Sequence, residues 1–233
     1  MKAIILAGGK GTRLRPYTTV IPKPLVPIGE KPILEILVEQ LRKSGVEEII
    51  LCVNHLAELI MAFFGDGKKY GIKIRYSLEE KSLSTVAPIK LVSDLPEHFL
   101  VMNGDLLTDL KFENLFDYHR KKSALLTVAT YKRNVKIDFG VIDVDKQDFK
   151  AIGFKEKPVY DFDVSMGVYV FDKKILSMVP ENQAFGFDNL MIAMLNANER
   201  INIYQYNGYW LDIGRPEDYE KAQEDLQKLK TII

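Results

Sequence analysis

The chain has 233 residues, 47% hydrophobic and 27% charged, with 32 basic residues matched by 32 acidic ones. That composition fits one large globular domain or two small ones, with enough core to fold without disulfides or structural metal. Balanced charge argues against a general nucleic-acid binder, the N-terminal apolar run is too short for a signal peptide, and no stretch is long enough to cross a bilayer. The single cysteine, Cys52, sits in the apolar run Ile49–Val53. It reads as a buried thiol and fits a reducing, cytoplasmic setting.

Lys2–Leu6 reads as a short, fully buried strand. A glycine-rich loop follows, then proline punctuation from Pro16 to Pro32. Pro32 is placed to open a helix that Ser44-Gly45 closes, with Ile33, Leu34, Leu37, Val38 and Leu41 on one face. Val46–Val53 reads as a strand, His55–Phe64 as a helix, Ile72–Tyr76 as a strand and Ser84–Val92 as a short helix. Phe99–Met102 is a buried strand ending at Asn103-Gly104-Asp105. Lys111–Lys122 is a helix and Ala124–Tyr131 the next strand. This alternation is that of an α/β fold with a mostly parallel sheet.

The pattern then changes. Val141–Val144, Ala151–Lys155 and Met166–Phe171 are short strands, and Asp172–Met178 and Phe187–Asn196 are helices. Ile201–Tyr206 is one more strand. A terminal helix runs from Arg215-Pro216 to about Lys230. The expectation is one domain over residues 1–233. A nucleotide-type half covers about 1–135, a smaller α+β lobe covers about 136–233, and the two share a sheet and flank a cleft.

Leu6-Ala7-Gly8-Gly9-Lys10-Gly11-Thr12-Arg13-Leu14 directly follows the first strand. Glycines let the backbone turn tightly and approach a ligand, and successive N–H groups in such a turn cradle phosphate. The loop is not a Walker A motif, because Lys10 is followed by Gly11 rather than Ser or Thr. Nor is it the dinucleotide fingerprint, whose third glycine position is Leu14 here. Taken alone, it is explained equally well as a plain tight turn. Arg13, Arg15 and Lys23 tip the balance toward phosphate. Lys23 stands between Pro22 and Pro24, which stiffen its backbone.

The loop, together with Pro22-Lys23-Pro24-Leu25, closely resembles the signature of the sugar-1-phosphate nucleotidyltransferases, the NDP-sugar pyrophosphorylases. The resemblance extends over nearly the whole chain. It takes in Asn103-Gly104-Asp105, Glu156-Lys157-Pro158, Met166-Gly167-Val168-Tyr169-Val170-Phe171 and Trp210-Leu211-Asp212-Ile213-Gly214-Arg215-Pro216. The resemblance implies a Rossmann-like, mostly parallel mixed sheet flanked by helices, with a smaller sugar-binding lobe. It also implies the condensation of a nucleoside triphosphate with a sugar 1-phosphate, giving an NDP-sugar and pyrophosphate.

Site residues follow from the same resemblance. Leu6, Ala7, Gly8, Gly9, Gly11 and Thr12 are expected along the nucleotide, joined by Glu79, Ser84, Thr85 and Asn103. Arg13 and Lys23 would stabilise the triphosphate and the leaving pyrophosphate. Asp105 ends a buried strand, where parallel sheets place ligand-binding residues. Either Asp105 or Asp212 alone reads as a turn cap. Together they match the family's metal-holding pair, and Mg²⁺ prefers one or two carboxylates plus phosphate oxygens and water. The attacking sugar phosphate is already ionised, so no general base is needed and catalysis reduces to positioning and charge neutralisation. His55, His98 and His119 accordingly read as surface or helix-cap residues.

On the sugar side, Gly140 matches a position where backbone approaches the sugar. Glu156 matches a carboxylate accepting sugar hydroxyls, and Lys157 a phosphate-holding lysine. Ser165 stands where many relatives carry Asn. The overall look favours a manno-configured hexose or heptose phosphate. On the base side, Leu83-Ser84-Thr85-Val86-Ala87-Pro88 replaces the family's usual Gly-Thr-Ala-Gly segment, and Ser84 reads as the cap of the helix it opens. Glu79 stands where relatives read the base. A carboxylate meets the adjacent N1–H and N2–H₂ donors of guanine, which favours GTP provided that Glu79, not Glu80, faces the pocket.

Two other readings stay open. The altered segment would suit a catalytically dead, nucleotide-sugar-binding regulator. A UTP- or CTP-using transferase with another phosphate acceptor is the third. Nothing in the sequence fixes an oligomeric state, and a homo-oligomer stays open.

Overall fold

The computed structural model describes residues 1–226. Its elements in chain order begin with β1 (Lys2–Leu6), β2 (Pro27–Ile28), β3 (Lys31–Pro32), α1 (Ile33–Lys43), β4 (Glu48–Val53) and α2 (Ala57–Phe64). Next come β5 (Lys73–Leu78), β6 (His98–Asn103), β7 (Leu106–Thr108), α3 (Phe112–Lys122), β8 (Leu126–Lys136) and β9 (Val141–Val144). The series closes with β10 (Ala151–Lys155), β11 (Val159–Asp172), α4 (Phe187–Asn196), β12 (Ile201–Tyr206), β13 (Trp210–Asp212) and α5 (Pro216–Glu224).

The central sheet has seven strands in the order β12-β8-β11-β6-β1-β4-β5. β5, β4, β1 and β6 run parallel. β11 is antiparallel to both β6 and β8, and β12 is parallel to β8. This is the expected mostly parallel mixed sheet. All six residues of β4 are buried, as a strand covered by helices on both faces requires. One face packs on Leu34, Leu37 and Leu41 of α1, Ile60 and Phe64 of α2, and Phe112 and Leu115 of α3. The other face packs on Leu190 and Met194 of α4, against Ile4, Ile50, Phe99 and Phe171. Each such side chain contributes about 1.5–3 kcal/mol by leaving water.

Several expected elements shift. Pro32 ends the β2–β3 hairpin and only caps α1, which begins at Ile33. The helix expected at Ser84–Val92 is a 3₁₀ segment over Ala87–Leu91, and that expected at Asp172–Met178 is 3₁₀ over Lys173–Met178. Ser84 caps nothing. It takes a left-handed φ of 70°, which a Cβ disfavours. β8 and β11 each run well past their expected ends into an exposed two-stranded ribbon, Lys136 pairing with Val159. The terminal helix opens as expected at Arg215-Pro216, whereas its expected end near Lys230 lies outside the described residues. Among the described residues no helix is long and apolar enough to cross a membrane.

Candidate functional site

The site sits where β1 and β6 end. Gly104 donates its N–H to the Leu6 carbonyl (3.0 Å), so the loops after the two strands are adjacent. A cavity of about 260 Å³ opens there. Leu6, Ala7, Gly8 and Gly9 form one wall, Glu79, Ser84 and Thr85 another, and Lys23, Asn103 and Asp105 the end. The expected nucleotide residues are thus largely together. Gly11, Thr12 and Arg13 stand outside this wall. Gly11 instead shapes the loop. It has a φ of 60°, and a Cβ there would lie 3.0 Å from Lys23 Cβ, while its carbonyl accepts Thr18 Oγ1–H (2.7 Å). That contact presses the loop onto the proline-framed segment bearing Lys23.

Asp105 and Asp212 meet through two very short strands. β7 and β13 pair antiparallel with Asp212 opposite Leu106, and Ile213 N–H donates to the Asp105 carbonyl (3.0 Å). A clasp around Asp109 fixes this pairing. Its Oδ1 accepts both the Tyr206 hydroxyl and the Tyr209 N–H (2.7 Å), and Thr108 Oγ1 donates to the Tyr209 carbonyl (2.9 Å). Trp210 Nε1 donates to the Met166 carbonyl (3.0 Å), tying β13 to β11.

The electrostatics suit a cation. Lys23, only 8% exposed, forms an ion pair with Asp105 Oδ2. Asp105 Oδ1 is buried with no hydrogen-bond partner, an arrangement that leaves a costly desolvated acceptor unless a cation meets it. Burial, then the charge of Asp105, holds the Asp212 carboxyl above the usual carboxylate range, with Lys23 and Arg13 opposing. The Arg13 guanidinium lies over Gly214, 3.4 Å from where a Cβ would stand. Two carboxylates, one of them with a free buried oxygen, fit a divalent ion.

Glu79 faces the pocket at 7% exposure, and Glu80 is exposed. Its Oε2 already accepts the Leu83 N–H (3.0 Å), so the two equivalent acceptors expected for guanine are unequal. Burial raises its pKa, with that N–H opposing. Asn54, which the sequence reading missed, donates to the Glu79 carbonyl (2.8 Å) and packs against Gly8. Only its position just after a buried strand could have signalled it. Ser82 and Cys52 also line the cavity. Burial pushes the Cys52 thiol up to about 12, an inert buried thiol as expected.

Val86 and Ala87, the bulkier residues of the altered segment, are buried in the core rather than in the cavity. The Thr85 hydroxyl accepts the Phe187 N–H at the start of α4 (2.9 Å). Gly140 and Glu156 are neighbours, a Cβ on Gly140 falling 3.3 Å from Glu156 Oε2 and 2.6 Å from the Phe154 ring. Glu156 and Lys157 are exposed and outside the cavity. Ser165 lies at the irregularity between β11 and β8, its Oγ 3.0 Å from the Tyr169 hydroxyl. His119 is neither surface nor cap. It is 1% exposed, between Thr127 and His98.

The Nucleotidyl transferase family model matches residues 2–229. The chain belongs to this family. It is 33% identical to the D-glycero-alpha-D-manno-heptose 1-phosphate guanylyltransferase of Aneurinibacillus thermoaerophilus, over 97% of this chain and 99% of that one. It is 34% identical to the UTP--glucose-1-phosphate uridylyltransferase of Synechocystis sp., over 95% of this chain but 62% of that protein. The chain therefore spans about three fifths of the length of that relative. Among solved structures, HddC from Yersinia pseudotuberculosis superposes with a TM-score of 0.75 at 28% identity, covering 97% of this chain and 99% of that one. The same protein is known complexed with GMP-PN.

Proposed function

We propose that the protein joins a nucleoside triphosphate, GTP by preference, to a manno-configured sugar 1-phosphate, releasing pyrophosphate. The observation that carries this is the Asp105–Asp212 pair with Lys23 on one of its members, at the end of a glycine-walled cavity. Lys23 and Arg13 stabilise charge on the triphosphate and on the departing pyrophosphate. Asp105 Oδ1 and the Asp212 carboxylate hold the cation that accompanies the nucleotide. Mg²⁺ bound there supplies neutralisation of the phosphate oxygens and makes the α-phosphorus more electrophilic. The sugar phosphate oxygen attacks in line with the leaving pyrophosphate, and no proton has to be removed. Gly140, Glu156, Lys157 and Ser165 bind the acceptor from the second lobe, over about residues 136–233. Glu79 reads the base through Oε1, with Oε2 shared with Leu83. A cytosolic location accords with the buried free thiol.

The names of the heptose relative and the GMP-PN complex support guanine, whereas the uridylyltransferase relative keeps uracil in the comparison. Val86 and Ala87 add their atoms to the core, whereas Ser84 stays in the cavity wall, so the non-catalytic regulator keeps one altered position in its favour. Pyrophosphate release, measured with each of the common NTPs against a panel of sugar 1-phosphates, tests the reading. Release with GTP and a manno-configured phosphate is expected. No release with any pair, alongside tight nucleotide-sugar binding, overturns it.

A further inference from the structure

The opposite end of β6 carries a second cluster of ligating side chains, five residues or about 17 Å of strand from Asn103. His98 and Asp172 face one another across the antiparallel β6–β11 pair, so their side chains leave the sheet on the same face. Glu97 precedes His98, and its carbonyl accepts the Lys173 N–H (2.7 Å). One ligand atom from each of Glu97, His98 and Asp172 lies within 4.8 Å of the other two.

Two of the three are aimed by their surroundings. Asp172 Oδ1 accepts the Lys174 N–H (2.8 Å). This turns Oδ2 toward His98, whose Nδ1 is 4.0 Å away. The His98 ring is braced by His119, whose Nε2 lies 3.2 Å from His98 Nδ1 and whose Nδ1 lies 2.8 Å from Thr127 Oγ1. His119 and Thr127 are both buried, so the brace has nowhere to swing. The proposed nucleotidyl transfer uses none of these groups.

We propose that Glu97, His98 and Asp172 form a second cation site, for a transition ion of the Zn²⁺ class, separate from the Asp105–Asp212 pair. The donor set decides the class. Imidazole with carboxylate suits Zn²⁺ and its neighbours, whereas Mg²⁺ and Ca²⁺ prefer oxygen throughout. Donors about 2.0–2.2 Å from a tetrahedral ion sit roughly 3.4 Å apart, so the 4.0 Å separation closes with a small side-chain rotation. Water from the adjoining cleft, which His119 and Glu199 also line, completes the shell. His98 Nδ1 also meets His119 Nε2 (3.2 Å), so an ion at Nδ1 would displace that contact, and the buried His119 ring then limits the swing of His98 from one side. Arg120, Lys174 and Arg200 line the same cleft and oppose a cation. All three are exposed, and Arg200 is hydrogen-bonded to Asn202 Oδ1 (3.1 Å). The ion would bridge the end of β6 opposite Asn103 to the end of β11, the strand that carries Ser165 in its interior.

Equilibrium dialysis of the whole chain against Zn²⁺, in excess Mg²⁺ to fill all-oxygen sites, tests the proposal. One Zn²⁺ per chain is expected. His98→Gln and Asp172→Asn should each weaken it by about tenfold or more, and Asp105→Asn should leave it unchanged. Asn at position 172 keeps an acceptor for the Lys174 N–H, and far-UV circular dichroism verifies the fold of both variants. Should either fail to fold, Glu97→Gln alters an exposed side chain and is expected to weaken binding several-fold. No Zn²⁺ retained by the wild type overturns the proposal. So does retention undiminished in the folded variants, because the ion then sits elsewhere.

Discussion

Ile213 donates its backbone N–H to the carbonyl of Asp105 across 3.0 Å. That single bond extends the β7–β13 pairing by one step and brings together the backbones of two aspartates from distant parts of the chain, whose carboxylates interact electrostatically. The geometry is backbone-driven, so substitutions at either carboxylate change charge without moving the strands.

Asp105→Asn and Asp212→Asn should each lower pyrophosphate release by about 10²–10³-fold, the range for losing one preorganised charge contact in a reacting site. Far-UV circular dichroism should not change. In Mg²⁺-free buffer Asp212→Asn should raise the Tm, because burial, and then the charge of Asp105, disfavours the Asp212 carboxylate more than Lys23 and Arg13 favour it. Wild-type turnover in either variant would remove the assignment.

Ser84→Gly should stabilise the chain. A non-glycine residue at a φ of 70° costs on the order of 1 kcal/mol. Relief of that strain corresponds to a Tm gain of about 2–4 °C for a chain of this size. Isothermal titration with GTP separates two origins for the serine. Unchanged or tighter binding marks a drifted loop position, and weaker binding marks a hydroxyl that touches the nucleotide.

Acid should weaken the fold through His119. Burial, then neighbouring His98, lowers its pKa to about 4, against 6.5 for the free side chain. Above pH 6.5 the group is neutral in both states and no stability is lost. Between 6.5 and 4 the unfolded chain takes up a proton that the folded chain refuses, so stability falls as pH falls, by up to about 3 kcal/mol. Urea midpoints over this range should show the slope, and His119→Gln should flatten it.

Gly140→Ala should raise the KM for the sugar phosphate with little change in that for GTP. A Cβ there meets the Phe154 ring at 2.6 Å and approaches Glu156. The ring is 64% exposed and can yield, so the fold should survive while the acceptor side is displaced. Equal rises in both KM values would show that Gly140 serves the cleft as a whole.

Sequence patterning located β1, β9, β10, α4 and β12 to the residue, because compact apolar runs bounded by turn residues define their ends. The outer half of the β8–β11 ribbon was only partly legible. The outer β8 segment, Lys132–Lys136, is mostly polar and held by cross-strand pairs, Lys132 with Asp161 (3.4 Å) and Asn134 donating to Asp161 (2.5 Å), so it shows no hydrophobic period, whereas Tyr160-Asp161-Phe162-Asp163-Val164 of β11 does alternate and was the signal available. β7 and β13 were illegible as strands, since each exists only through pairing with the other. The loop glycines, Lys23, Asp105 and Asp212 were recognisable from motif resemblance. Asn54 and the Asp109 clasp were not, because they act on other parts of the site through backbone contacts that a linear pattern does not display.

The pairing of β7 with β13 has a consequence for biogenesis. Synthesis proceeds from the N-terminus, so the residues that line the glycine-walled cavity, all between Leu6 and Asp105, emerge well before Trp210–Asp212. Until then β7 is an unpaired edge, and Asp105 faces Lys23 without the second carboxylate. On the proposed assignment, the nascent chain would meet nucleotide before it holds both carboxylates, and the arrival of one three-residue strand would complete the pair.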